Sequence, residues 1–176
     1  GCCDLGCLNL TCYVDDPFGD APAFDFERMK RATTLAVRAL DNVLDLTLWP
    51  LPAQEREARE KRRIGLGFTG LGNALTMLKL RYDSEDARRM AARISQVMRD
   101  TAYEASVALA REKGAFPLFD ADRYLAEPHA ASRLPDALKA EIEGAGGVAH
   151  AVAIDVMSGE SVRAGLAEAD DKLGGI

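Results

Sequence analysis

Four cysteines stand within the first twelve residues, at Cys2, Cys3, Cys7 and Cys12, and none follows in the rest of the 176-residue chain. Cysteines used only as small packing residues scatter through a core. A group gathered at one edge opens three chemistries instead: a redox centre, a metal site or a disulfide. A redox centre needs a thiol that reaches a partner thiol and exchanges disulfides. Adjacent Cys2 and Cys3 would close a strained ring, so the partner of either lies on Cys7, on Cys12 or on a separate part of a larger protein. Structural zinc sites present ligand pairs in two separate knuckles, and these spacings form no such pair. Cys7 and Cys12 fall in an apolar stretch and read as small buried residues. His129 and His150 are the only histidines, remote from the thiols in sequence, and read as surface or structural residues.

Two further patterns invite a function and fail on context. Gly65, Gly67 and Gly70 fit G-x-G-x-x-G, with Asp83 or Glu85 near the distance of a ribose-binding acid. That fingerprint needs an apolar strand running into its first glycine, and the preceding residues here are the charged EAREKRR. The glycines are expected to form a turn that lets backbones pack closely where the chain enters a helix. Two histidines without a nucleophile motif assemble no Ser/His/Asp site. The paired carboxylates Asp15 and Asp16, and Asp170 and Asp171, lie in turn-like sequence and are expected to be solvated.

The elements that must position these residues follow from periodicity. Leu5 to Val14 reads as a short strand, closed by the turn-rich DDPFGDAP. Asp25 is the expected N-cap of a helix whose apolar face is Phe26, Met29, Thr33, Ala36, Val37, Leu40, Val43 and Leu44, stopping before Pro50. Ala53 to Arg63 is almost wholly charged and reads as a solvated helix. A short apolar helix follows the glycines. Ser84 caps the longest helix, with a buried stripe at Met90, Ile94, Val97, Met98, Thr101, Ala105, Ala108 and Leu109, and Gly114 ends it. Beyond it come a short helical turn in FPLFDADRYLA, a helix from Pro135 to Glu143 and a strand from Val148 to Ile154. The tail from Asp155 to Ile176 is expected to be loosely helical or poorly ordered.

Composition narrows the classes. An apolar content of 48% with 28% charged residues suits a globular chain with one core, and one domain is the default. The net charge of -6 opposes a general attraction to nucleic acid or anionic membranes. No apolar run approaches the roughly 18–20 residues that span a bilayer, so a cytoplasmic location is expected, where most thiols stay reduced. The chain begins at Gly1 without Met and is expected to be a piece of something longer.

Several segments together carry a resemblance: CDLGCLNL at Cys3 to Leu10, LDNVLDLTLWPLP, KRRIGLGFTGLGNAL, LRYDSEDARRMAARI, and YEASVALAREKGAFPLFD. In order and spacing they resemble the catalytic subunit of ribonucleotide reductase, most like the class II enzymes that depend on adenosylcobalamin. The resemblance covers Cys3 to Ile154. It implies an α/β, helix-rich fold, part of a ten-stranded α/β barrel, with residues 1–154 in the barrel and 155–176 a divergent tail. It also implies a thiyl radical that abstracts hydrogen from the ribose of a nucleotide, and two further cysteines that reduce the sugar and become a disulfide. The cysteine opening the family's C-[ND]-L-[GA]-S-[IL]-N-L motif is one of that pair, and its match is Cys3. Cys7 stands where the family has serine. A thioredoxin-type reductant, the remainder of the barrel and a ribonucleotide substrate are the implied partners.

Departures bound what this chain can do. The N-x-C-x-E signature of the radical loop is not in it, nor is the barrel half with the other redox cysteine. Where the family continues into A-P-T-G-[ST], the phosphate-holding turn, the sequence reads DVMSGESV. Ser158, Gly159 and Ser161 are the remnant of that turn, and Glu160 would face an anionic ligand. The reading is a reductase fragment, inactive alone. A degenerate stand-alone binding or assembly module and a small metal-thiolate protein are the alternatives. Unpaired barrel strands would invite association.

Overall fold

The computed structural model describes residues 3–126 together with Leu134, Pro135 and Leu138. The chain divides into two compact units, Gly1–Pro117 and Leu118–Ile176. The first unit opens with strand β1 (Asp4–Asn9), a 3-10 turn (Leu10–Tyr13) and two short strands, β2 (Val14–Asp15) and β3 (Ala23–Phe24). Helices α1 (Phe26–Leu46) and α2 (Pro52–Lys61) lead to strand β4 (Ile64–Thr69), and helices α3 (Leu71–Met77) and α4 (Glu85–Lys113) complete it. β1 pairs with β4 in parallel, from Asp4 opposite Ile64 to Asn9 opposite Thr69. β2 and β3 form a separate antiparallel pair. Among the described residues no barrel closes; the helix-rich α/β character holds.

Local chemistry explains the boundaries. The Asp25 carboxylate accepts from the Arg28 backbone N–H at 2.8 Å and starts α1, as its position predicts. Ser84 Oγ accepts from the Ala87 N–H at 3.2 Å and starts α4. Gly114, at φ 85°, follows the last turn of α4, where its N–H donates to the Ala110 carbonyl. Met29, Thr33, Val37 and Leu44 of α1, and Ile94, Met98, Thr101, Ala105 and Leu109 of α4, are buried as expected, whereas Val43 and Ala108 are exposed.

Two sequence expectations need correction. The segment Ile64–Thr69 is a strand and not a glycine-rich turn. Its period of two places Ile64, Leu66 and Phe68 on one face and Gly65, Gly67 and Thr69 on the other, and glycine on the second face hides the alternation. Of Gly65, Gly67 and Gly70, only Gly70, at φ 74°, is a turn glycine. The expected strand Leu5–Val14 is interrupted by the 3-10 turn, where the Asn9 side chain accepts from the Thr11 N–H at 3.2 Å and diverts the chain.

The core lies on one side of the β1–β4 sheet. Leu10, Tyr13, Val14, Phe24, Met29, Ala74, Leu78, Ile94 and Met98 form the main cluster, joining the 3-10 turn to α1, α3 and α4. Val37, Ala105 and Leu109 form a second cluster against Ile64 and Leu66. A Cβ on Gly6 would stand 3.4 Å from a Leu40 methyl, so α1 lies close on β1.

An ionic clasp fixes the other end. Arg62 takes a left-handed conformation, φ 41°, between α2 and β4. Its guanidinium donates to Asp41 Oδ1 at 2.8 Å, to the Asp41 carbonyl at 3.1 Å and to Asp45 Oδ1 at 2.6 Å. Lys113, at the end of α4, donates to Asp41 Oδ2 at 2.6 Å and to Asp45 Oδ2 at 3.0 Å. The hydrogen bond from Arg62 is the main cause holding the Asp45 carboxyl at about 2, below its usual 3.8. In the second unit, helix α5 (Ala121–Ala126) starts where Asp120 accepts from the Arg123 N–H, and Leu134, Pro135 and Leu138 are buried. The expected helix from Pro135 to Glu143, apart from Pro135 and Leu138, the strand Val148–Ile154, the tail, His129 and His150 lie outside the described residues.

A carboxyl whose acidity is strengthened by folding stabilises the fold above its unfolded value and ceases to as pH falls through its folded one. Asp45 therefore contributes fully above about pH 4 and progressively less towards pH 2. In urea titrations Asp45→Asn should be less stable than the parent at pH 7, and the gap should shrink between pH 4 and 2. A gap independent of pH would refute the assignment.

Candidate functional site: the uncovered face of the parallel sheet

Because α1 and α4 cover one face of the β1–β4 pair, alternation sends Leu5, Cys7 and Asn9 to the other, opposite Gly65, Gly67 and Thr69. Cys3, one residue before β1, continues this alternation and is exposed. Its Sγ would lie 3.9 Å from a Cβ on Gly65, which puts the thiol over β4 on this same face. Its hydrogen-bond contact among the described residues is long, 3.8 Å to the Asp4 carbonyl oxygen. Leu5 is 78% exposed, so nothing among the described residues covers the face.

The other sequence candidates separate around it. Cys7 and Cys12 are exposed, correcting the expectation that they are buried. The apolar neighbours that suggested burial, Leu8 and Leu10, point to the opposite side of the strand or into the turn. Cys7 shares the face with Cys3, whereas Cys12 sits in the 3-10 turn beyond the far end of β1. Along extended backbone, Cys3 and Cys7 are about 13 Å apart at 3.3 Å per residue. A disulfide needs Cα atoms within about 7 Å, so these two thiols cannot join without unravelling the strand. Among the described residues, no three His, Cys, Asp or Glu side chains converge to hold a metal ion. Asp15 closes β2, correcting its expected place in a turn, and pairs with Arg28 at 2.9 Å, while Asp16 bends the chain after it and accepts from the Ala21 N–H; both are exposed as expected. Cys2, Ser158, Gly159, Ser161, Asp170 and Asp171 lie outside the described residues. No described helix is long and apolar enough to cross a membrane.

Sequence reasoning missed the two glycines as part of this site. Gly65 and Gly67 strip β4 of side chains opposite Leu5 and Cys7, and the signal was present in the alternation I-G-L-G-F-T. At the C-terminal end of the pair, Asn9 Oδ1 also accepts from Thr11 Oγ1 at 2.8 Å and lies 2.8 Å from where a Cβ on Gly70 would be. The Asn9 amide thus lies against the bare backbone position at Gly70, which a side chain would crowd.

The sequence that builds this parallel pair and its exposed thiol matches a known domain. The family model for the ribonucleotide reductase barrel domain matches residues 1–163, and the chain belongs to that family. Among curated relatives, a vitamin B12-dependent ribonucleoside-diphosphate reductase of Mycobacterium tuberculosis is 39% identical over 122 residues, covering 69% of this chain and 17% of the relative. An enzyme of the same name from Thermoplasma acidophilum is 35% identical over 115 residues, 65% of this chain and 14% of the relative. The ribonucleoside-diphosphate reductase subunit alpha of Chlamydia pneumoniae is 30% identical over 122 residues, 69% of this chain and 11% of the relative. The chain thus spans less than a fifth of the length of these relatives.

Gly70→Ala should destabilise the first unit by about 1–2 kcal/mol, the cost of an L-residue in the left-handed region, with the Asn9 contact adding to it. Urea unfolding measures this; a stability unchanged from the parent would mean that neither the left-handed turn nor the Asn9 contact constrains residue 70.

Proposed function

We propose that this chain is a segment of a ribonucleoside-diphosphate reductase in which Cys3 is one member of the redox-active cysteine pair. The observation that carries the reading is the Cys3 thiol standing on the uncovered face of the parallel sheet, at the residue that opens CDLGCLNL. The names of the relatives support the activity. In the reaction the C2′ hydroxyl of a ribonucleotide leaves as water and hydrogen takes its place. Two thiols supply the two electrons and two protons and join as a disulfide. Cys3 supplies one thiol. The strand distance to Cys7 argues that the other comes from elsewhere in the larger protein. A thioredoxin-type reductant then reopens the disulfide by exchange, in the cytoplasm. Residues 1–154 are the barrel part and 155–176 the divergent tail, with Ser158, Gly159 and Ser161 the remnant of a phosphate turn beside Glu160.

Adenosylcobalamin is the radical source proposed for the larger enzyme, on the resemblance and the B12-dependent names of two relatives. The described residues do not fit it. The groove between β4 and α4 is about 400 Å³, lined mainly by Val37, Ile64, Leu66, Phe68, Met98 and Ala102. A corrinoid exceeds the drug-sized ligands that fill sites of about 300–1,000 Å³. No step is assigned through it.

In the full-length enzyme, Cys3→Ser should abolish multiple turnover with a thioredoxin-type reductant while leaving nucleotide binding intact; undiminished turnover would refute the redox role. The present chain alone should bind no nucleoside diphosphate tightly, and calorimetry detecting micromolar affinity would overturn its incompleteness as a substrate site.

A further inference from the structure

We propose that Gly65 is a positioning residue for the Cys3 thiol: its missing side chain makes the slot that holds Leu5 across β4 and off the sulfur. The inference rests on the reading of Cys3 as a redox thiol. Leu5 and Gly65 are direct partners in the parallel register. A Cβ at residue 65 would stand 2.5 Å from Leu5 Cδ2, a separation no real pair adopts, so the tip of Leu5 occupies that space. The same Cβ would lie 3.9 Å from Cys3 Sγ, so slot and thiol adjoin. Gly67, the next glycine on this face, has nothing within 4 Å of its Cβ position and holds no such neighbour.

Backbone conformation does not explain the glycine. Among the described glycines only Gly70 and Gly114 have positive φ, so alanine fits the backbone at residue 65. The constraint is the space itself. In a strand, a side chain displaced from the partner strand leans along its own, over the residues two before and two after on the same face. For Leu5 those are Cys3 and Cys7, and the isobutyl group would shield the Cys3 sulfur from a reductant or a substrate. Leu5 is the flexible party, so filling the slot should cost little stability while changing access to the thiol.

The test uses this chain with Cys2, Cys7 and Cys12 replaced by serine, so that iodoacetamide reports Cys3 alone. Alkylation rates are measured across pH, with urea unfolding in parallel. Gly65→Ala should lower the plateau rate several-fold without moving the pH of the inflection, and should unfold at a urea concentration no lower than its parent. Gly67→Ala should alkylate at the parental rate. Adding Leu5→Ala to Gly65→Ala should restore the rate. An unchanged plateau in Gly65→Ala, a slowing explained by a moved inflection, or a failure of Leu5→Ala to rescue would each overturn the proposal. Those results read access and not turnover, so they leave the redox role to Cys3→Ser in the full-length enzyme, and the two readings fail separately.

Discussion

The parallel pairing of β1 with β4 is the constraint from which the rest of the first unit follows. Two parallel neighbours cannot be joined by a hairpin; the chain must return from the end of one to the start of the other. Here α1 and α2 make that return, and α1 packs on the sheet as it does so. Once helices occupy one face, the period of two decides everything about the other. Gly6, Leu8, Leu66 and Phe68 go inward, and Leu5, Cys7, Asn9, Gly65 and Gly67 go outward. A slip of one residue would bury the thiol face and expose the apolar one, so register and thiol exposure are a single specification.

The two ends of the pair are finished by different chemistry. At the N-terminal end Arg62 gathers Asp41 and Asp45 of α1, and Lys113 brings α4 to the same carboxylates. Isolated ion pairs on a surface contribute little. This group is a network, with the Asp41 side chain 12% and the Arg62 side chain 20% exposed, and it also satisfies a helix carbonyl. It stands two residues before Ile64 and so sets where β4 begins. Lys113 is in the last turn of α4, where a cation also meets the negative end of the helix dipole. At the C-terminal end the Asn9 amide turns β1 into the 3-10 turn by accepting from Thr11, and Gly70 ends β4 in a left-handed conformation.

How much of this was legible in the sequence depended on whether a residue's role was local. Asp25, Ser84 and Gly114 act within a turn of the helix they bound, and each was readable from its neighbours. The helix stripes were readable because the period of 3.6 repeats over many residues. β4 was not, since its outward face carries glycine and its six residues look like a loop to any reading that treats glycine as punctuation. Cys7 and Cys12 were misjudged for a related reason: apolar neighbours signal burial of a segment, but only strand pairing tells which alternate side chains are inside. The Arg62 clasp was invisible because its partners are 17 to 21 positions away in α1 and 51 away in α4. The CDLGCLNL segment placed Cys3, and the glycines opposite it required the register.

The outward face also shows what the fold gives up. Glycine within a strand costs roughly 0.5–1 kcal/mol relative to alanine; Gly65 receives the tip of Leu5 in return, whereas Gly67 has no neighbour at its Cβ position. The inward face offsets it, since Ile64, Leu66 and Phe68 pack against the helical core. β4 is therefore a strand stabilised from one side so that the other can stay bare. Bare backbone opposite an exposed thiol is a poor arrangement for stability alone, because larger side chains at residues 65 and 67 would raise β-propensity. It is a sound one for a sulfur that must be approached, since a reacting partner needs room that packing would take away.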